Sequence, residues 1–321
     1  MKKCYDENTF KRIQLSLLTN QNQVNHKEST PPLISPLSRG GEDWVWKTFG
    51  HLQVKSILQK QLQSQKFPHA YLFFGSDSLG KKTLALEFAQ KVLQTDRLET
   101  HPDFQLLDTE GVLLIDMLLD FIAKLNFKPF LARKRIAIIN NAQNLNLQSS
   151  NALLKTLEEP ADSIIVILVA NRQLLPTIIS RCQVLNFSPL SPDKLKEFAK
   201  ALKLDTRTKN QIFNFCFGLP GRLVNLVSNP VLLEQEEELI EQFKKVQLGR
   251  LSDRLLAIAK YAALEVYELE KIFITWFYWQ LDQLKTNPQF FSKVEALSEA
   301  ILGLKMNKNK KLVLQGLFLK I

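Results

Sequence analysis

The stretch that most constrains this chain is Ala70 to Leu93, where five apolar residues run into a glycine loop and then a helix-like pattern. Ala70-Tyr71-Leu72-Phe73-Phe74 is compact and apolar enough for a buried strand. Gly75-Ser76-Asp77-Ser78-Leu79-Gly80-Lys81-Lys82-Thr83 follows at once. Leu84, Ala85, Phe88, Ala89, Val92 and Leu93 then recur along one helix face. Strand, glycine loop and helix in that order make the frame of a phosphate-binding loop. Its glycines let backbone N–H groups wrap an anion, the helix N-terminus adds partial positive charge, and Lys81 reaches the outer phosphates. Gly75-x4-Gly80-Lys81 fits the pattern, but Lys82 stands where a Ser or Thr hydroxyl would ligate magnesium. Thr83 is turned about 100° further around a helix and is a poor replacement.

A second constraint comes from Arg135 to Pro160. Ile136-Ala137-Ile138-Ile139 predicts a buried strand of a parallel sheet, and Ser149 to Glu159 predicts a helix stopped by Pro160, with Leu153, Leu154 and Leu157 on its apolar face. In phosphate-binding α/β proteins the tip of such a strand carries acids that hold magnesium and orient water. Here the tip is Asn140-Asn141. An amide has no negative charge for the ion and cannot act as a general base.

Between and around these stretches the same alternation continues. His101-Pro102-Asp103-Phe104 opens a strand through Asp108, and Ile115, Leu118, Leu119, Ile122 and Leu125 mark a helical stripe. Ser163 to Val169 and Gln183 to Phe187 read as further strands, with a short helix around Leu174 to Ile179 between them. Upstream, Val54, Ile57, Leu58 and Leu62 outline an amphipathic helix ending before Phe67-Pro68. Strands alternating with helices predict an α/β unit whose parallel sheet is covered on both faces. Ser188-Pro189-Leu190-Ser191-Pro192 reads as a domain boundary, after which every pattern is helical, interrupted at Gly218-Leu219-Pro220-Gly221-Arg222. Trp276, Phe277, Tyr278 and Trp279 fall in one long helix, Leu264 to Leu284; no basic residues interleave them, so they predict packing between helices rather than base stacking.

A length of 321 residues leaves room for two or three domains with cores of their own. Residues 1 to about 40 have no sustained period and are rich in Pro, Ser and Gly near their end, which predicts a disordered tail. No apolar run approaches the roughly 20 residues needed to span a bilayer. Met1-Lys2-Lys3 begins like a signal peptide, but Cys4-Tyr5-Asp6-Glu7-Asn8 follows in place of an apolar stretch, so a cytoplasmic protein is expected. Cys4, Cys182 and Cys216 lie too far apart to indicate a disulfide framework or a metal cluster. The net charge of +10 favours an acidic or nucleic-acid partner. Lys124, Lys128, Arg133, Lys134 and Arg135, and later Lys305, Lys308, Lys310, Lys311 and Lys320, contribute to it, and these clusters read more readily as solvated helix faces.

Taken together, several segments resemble the delta-prime subunit family of the bacterial DNA polymerase III clamp loader, which are AAA+ proteins. They are Phe67-Pro-His-Ala-Tyr-Leu-Phe-Phe74, Gly75 to Thr83, His101-Pro-Asp-Phe104, Asn151-Ala-Leu-Leu-Lys-Thr-Leu-Glu-Glu-Pro160, Leu175-Pro-Thr-Ile-Ile-Ser-Arg-Cys182 and Gly218-Leu-Pro-Gly-Arg222. The resemblance covers about Trp44 to Leu226 and is weaker beyond, where Asn307-Lys-Asn-Lys-Lys-Leu312 is similar to the family's closing helix.

It implies an AAA+ domain over residues 41–187, a small helical lid over 188–228, and an all-α collar for oligomerisation over 229–321. It implies that Arg181 is an arginine finger offered to ATP on a neighbouring subunit, where a guanidinium is worth on the order of a thousandfold in rate. Cys182 is expected to pack, not to act as a nucleophile. Asn171 matches a polar sensor at a strand end, and Arg222 matches a lid arginine that senses a phosphate or pairs with an acid. Gly75, Gly80, Lys81, Lys82, Thr83, Asn171 and Arg222 would then frame a degenerate ATP site, with Asn140 and Asn141 replacing the acidic pair. That site would bind ATP without hydrolysis or none at all. No cysteine lies between Cys4 and Cys182, so the family's four-cysteine zinc module is missing and no zinc is expected.

The implied partners are the other clamp-loader subunits, delta and tau/gamma, with the sliding clamp and primed DNA reached through the complex and no membrane. Two other functions stay open on the residues: an active P-loop ATPase motor subunit of a clamp loader, and an independent DNA-binding protein drawn by the positive charge.

Overall fold

The computed structural model describes residues 46–108, 115–125, 127–202, 212–213, 215–284, 287–306 and 308–321. The expected tail, Cys4, Trp44, Asn307 and the side chains of Ile115 and Lys305 lie outside the described residues. Two compact units divide the chain, one ending at Ser188 and the other running from Pro189 to Ile321.

The first unit is an α/β domain built on five parallel strands in the order β2-β3-β4-β1-β5. These are β1 Ala70–Phe74, β2 Phe104–Asp108, β3 Arg135–Asn140, β4 Ile164–Ala170 and β5 Gln183–Asn186. The helices between them are α1 Leu52–Ser64, α2 Lys81–Leu93, α3 Ile115–Leu125, α4 Leu147–Glu158 and α5 Pro176–Ile179. β4 is buried along its whole length, and Ile136 to Ile139 of β3 are fully buried, so their near-continuous apolar runs follow from cover on both faces.

The period of two sorts these strands onto two cores. Leu72, Ala137, Ile139, Val166 and Leu168 face α3 and α4 through Leu118, Phe121, Leu125, Leu153 and Leu157. On the other face Tyr71 packs edge-on against Phe88 of α2. The Tyr71 hydroxyl donates to Oε1 of Gln61 in α1 at 2.8 Å, and the same amide donates through Nε2 to Oε1 of Gln183 in β5 at 2.8 Å.

The predicted α/β parallel sheet is present, with local differences. α4 begins two residues before Ser149, because the side chain of Asn146 accepts from the Ser149 amide at 2.7 Å and caps the helix earlier. Ile57 and Leu119 are exposed; the buried stripes are Val54, Leu58 and Leu62 in α1, and Leu118, Phe121 and Leu125 in α3.

His101 to Asp103 form a turn before β2, not its first residues. Asp103 is completely buried and accepts three backbone N–H groups, from Phe130 at 2.6 Å, Leu131 at 2.7 Å and Ala132 at 2.8 Å. Its fourth partner is Arg135, at 3.4 Å. Burial pushes the Asp103 carboxyl up, but the three amides and the guanidinium outweigh it and hold the group below the usual carboxylate range. Arg135 therefore leaves the exposed basic cluster: it is buried, and its guanidinium also donates to the carbonyls of Lys124 and Lys128.

The described elements of the second unit are helices: α6 Pro192–Ala201, α7 Pro220–Ser228, α8 Pro230–Leu248, α9 Leu251–Ala262, α10 Val266–Leu284, α11 Phe291–Lys305 and α12 Lys310–Lys320, with a short 3-10 turn at Pro288–Phe290. The lid and collar expected on either side of residue 228 both lie in this unit. Its core forms around Trp276, which is fully buried, stacks on Phe243 at 4.6 Å and donates its indole N–H to the Leu239 carbonyl at 2.8 Å. Phe277 and Tyr278 are buried beside it and Trp279 partly so, as the packing reading of this aromatic run requires. Gly218 has φ +77°, and a Cβ there would lie 2.6 Å from the Leu190 carbonyl, which explains the glycine at this bend.

Candidate functional site

The strand order brings one set of polar residues together. β1 and β4 are neighbours, so the loop after Phe74 lies beside the end of β4, and the Gly75 amide donates to the Ala170 carbonyl at 3.2 Å. β3 and β2 continue the row. Their last residues, Asn140 and Asp108, are register partners. The carboxyl ends of these strands are where open α/β sheets place ligands.

Gly75 has φ +152°, and a Cβ there would lie 2.4 Å from the Phe187 carbonyl, so no other residue fits without moving the backbone. Gly80, with φ +81°, turns the loop into the first turn of α2. The loop closes on its own lysine. Lys81 is 5% exposed, and its ammonium donates to the carbonyls of Gly75, at 2.7 Å, and Ser76, with the Asp77 carboxylate at 3.9 Å. Burial pushes its pKa down to about 8, against an upward pull from Asp77. Asp77 in turn accepts from the side-chain amide of Asn171 at 2.7 Å, and the Asn171 backbone N–H donates to Gln143 Oε1 at 3.3 Å. The expected sensor position is thus tied to the loop through an acid.

Beside the loop lies a carboxylate that the sequence pattern did not single out. Asp108 accepts from Asn140 Nδ2 at 2.7 Å through one oxygen and pairs with the ammonium of Lys82 through the other. Its signal in the sequence was slight: one acid ending a strand. The charge absent from the tip of β3 is present on the adjacent strand, where Lys82 neutralises it. Asn141, with φ +55°, starts the short helical turn Ala142–Asn144 and accepts from Gln143 Nε2 at 3.4 Å. Thr83 is exposed. As it stands, the Lys81 ammonium is taken up by the loop's own carbonyls. The side chains do not fit a magnesium ion: Lys82 is a cation where the hydroxyl ligand should be, and Asp108 at the end of β2 is already paired with Lys82 and Asn140. Among the described residues no group of three or more His, Cys, Asp or Glu side chains is placed to share a metal.

Arg181 lies just past α5, apart from the loop cluster in its bonding. Its guanidinium donates through Nη1 to the Thr177 carbonyl at 2.8 Å and to Ser180 Oγ at 3.4 Å, and through Nη2 it meets Glu158 Oε1 at 2.8 Å. The side chain remains 33% exposed. Cys182 next to it is half-buried, and burial pushes its thiol up to about 12, which leaves it no thiolate near neutral pH. Arg222 belongs to the second unit. There it pairs with the buried Glu236 at 2.7 Å, whose other oxygen accepts from Thr275 Oγ1 at 2.8 Å, and it lies 5.0 Å over the Phe217 ring. Of its two expected roles, pairing with an acid is the one its contacts match.

Residues 50–191 match the family described as DNA polymerase III, delta subunit. The delta-prime subunit of Bacillus subtilis (strain 168) is 30% identical over 224 residues, 63% of this chain and 65% of the relative. Over these segments the chain is similar to delta-prime subunits. Pseudomonas aeruginosa delta-prime agrees, at 30% identity over 135 residues, 36% of this chain and 41% of that one. A DNA polymerase III tau subunit of B. subtilis is also similar, 31% identical over 160 residues, 44% of this chain and 28% of tau. The chain spans under two-thirds of the length of these relatives. The matched family segment contains the loop, Asn140, Asn141, Asn171, Glu158 and Arg181, and ends before Arg222.

Proposed function

We propose that this chain is a clamp-loader subunit of DNA polymerase III that hydrolyses no ATP of its own and supplies Arg181 to ATP on a neighbouring subunit. The observation that carries the proposal is the contrast in disposition of two cations. Lys81 is folded back onto its own loop carbonyls, whereas Arg181 is held with a third of its side chain exposed. Any nucleotide that enters the Gly75–Thr83 loop is held without turnover, because Lys82, Asn140 and Asn141 leave no magnesium corner. In this reading the C-terminal helices join the chain to delta and tau/gamma subunits, and the whole assembly places the sliding clamp on primed DNA. An arginine supplied in trans makes hydrolysis depend on assembly.

The test is reconstitution with the motor subunits, measuring DNA-stimulated ATP hydrolysis with and without this chain. Turnover that rises only when the chain is present is expected. Steady hydrolysis by the purified chain, abolished by Lys81→Ala, would replace this proposal with an active motor subunit. That second reading draws on the similarity to tau, and the Lys82–Asp108 pair stands against it. Tight, salt-sensitive binding of primed duplex by the isolated chain would instead favour an independent DNA-binding protein.

A further inference from the structure

Two segments carried the resemblance most specifically: the one ending Leu157-Glu158-Glu159-Pro160 and the one ending Ser180-Arg181-Cys182. They are separated in sequence by β4. The structure joins them through one ion pair, Glu158 to Arg181.

Glu158 is the last residue of α4, and Glu159 caps that end. Carboxylates are disfavoured there, because the exposed carbonyls of a helix C-terminus already carry partial negative charge. In the last turn Lys155 is the basic residue, on the same helix. A second carbonyl-rich end lies close by. Arg181 donates to Thr177 O in α5 and to Ser180 Oγ at that helix's C-cap. The carboxyl ends of two helices thus converge on one guanidinium, and Glu158 supplies the full charge.

A guanidinium has five N–H donors in a fixed plane. Three are committed to Glu158, Thr177 and Ser180, and they fix the plane of a group whose side chain stays 33% exposed. We infer that Glu158 is a positioning residue, holding the Arg181 guanidinium in a fixed attitude for phosphoryl oxygens on a neighbouring subunit. This rests on the arginine-finger reading proposed above. Glu158 touches no nucleotide in this scheme and acts only through Arg181. Without it the arginine keeps one helix-end anchor, sweeps a wider arc, and must be ordered anew in each catalytic cycle.

The experiment uses the full chain in the reconstituted assembly, comparing wild type, Glu158→Ala, Glu158→Gln, Arg181→Ala and the Glu158→Ala/Arg181→Ala double variant. Equal thermal midpoints and equal incorporation establish that each variant is folded and assembled; Glu158 is half exposed, so both are expected. Glu158→Ala is expected to lower kcat about five- to twentyfold, as misplacement of a catalytic group does, with KM for ATP nearly unchanged. Glu158→Gln should recover part of the loss, since its amide oxygen still accepts. In the Arg181→Ala background, Glu158→Ala should cost nothing more. Wild-type turnover in Glu158→Ala, alongside a loss in Arg181→Ala, would overturn this inference and leave the arginine finger standing. A further loss in the double variant would overturn it too, by giving Glu158 a role independent of Arg181. Wild-type turnover in Arg181→Ala would remove the finger reading itself.

Discussion

Lys81 and Arg181 are both cations in motifs that elsewhere meet phosphate, and this chain treats them in opposite ways. Lys81 is 5% exposed and bonded to carbonyls two strides back along its own loop. Arg181 is 33% exposed and held by a side chain that is itself 49% exposed. The first arrangement satisfies a buried charge from within. The second leaves a charge presented while limiting its freedom. A cation satisfied from within contributes to folding or taxes it; one that is presented but restrained can act on a partner. The same distinction separates Arg135 and Arg222, each paired with a buried acid, from the surface lysines around them.

The sharpest way to break this contrast is to remove the outward cation. Arg181→Ala is expected to depress ATP hydrolysis of the assembly by on the order of a thousandfold. Urea unfolding of the isolated variant should shift by no more than about 0.5 kcal/mol. A large stability loss with unchanged hydrolysis would place Arg181 with the inward group.

The converse experiment removes an inward partner. Asp103→Ala strands Arg135 and three backbone amides, and urea titration should show a loss of about 3–5 kcal/mol. The Asp103 carboxyl lies below its ordinary range in the folded state, so its contribution is present above that ordinary range and is lost as pH falls through the depressed value.

Lys81 gives a prediction with the opposite sign. Its folded pKa of about 8 lies below the ordinary 10.5, so between those values the unfolded chain binds more protons. Stability should therefore rise with pH across that window, by up to about 3 kcal/mol for a full unit charge. Chemical denaturation at a series of pH values should show the rise, and Lys81→Met should flatten it. A profile unaltered by the substitution would mean the ammonium is solvated, and the contrast with Arg181 would lose one side.

The smallest effect is expected at Lys82. Its pair with Asp108 is open to solvent, so Lys82→Ala should change unfolding free energy by less than about 1 kcal/mol. It should not confer ATP hydrolysis, because Asn140 and Asn141 remain. Hydrolysis appearing in that single variant would show that Lys82 alone silences the loop.

Much of the α/β unit was legible because its strands are buried on both faces. Ile136 to Ile139 and Ser163 to Val169 read as strands from apolar continuity alone, and the structure forms them with nearly those bounds. Their order in the sheet was not legible, since no period records which strand lies beside which. Asp108 was missed for that reason: an isolated acid gains meaning only once the register sets it against Asn140. Arg135 misled in the opposite direction, counted with its basic neighbours although a turn of chain places Asp103 beneath it. Helix faces were blurred at Ile57 and Leu119, apolar residues that lie one position off the buried stripe. The early start of α4 depended on Asn146, a cap whose effect is local but whose identity as a cap depends on backbone geometry. Arg181 was legible only from its flanking motif. The carboxylate that holds it was in plain sight in another motif, yet nothing in the spacing of the two joined them.

The amide of Gln61 has a mechanical consequence. It is bonded at once to Tyr71 in the middle of the sheet and to Gln183 at the start of the edge strand. Gln183 is the second residue after Arg181. A rigid displacement of α1 would therefore load both strands through a single planar group, one of them only two residues beyond Arg181.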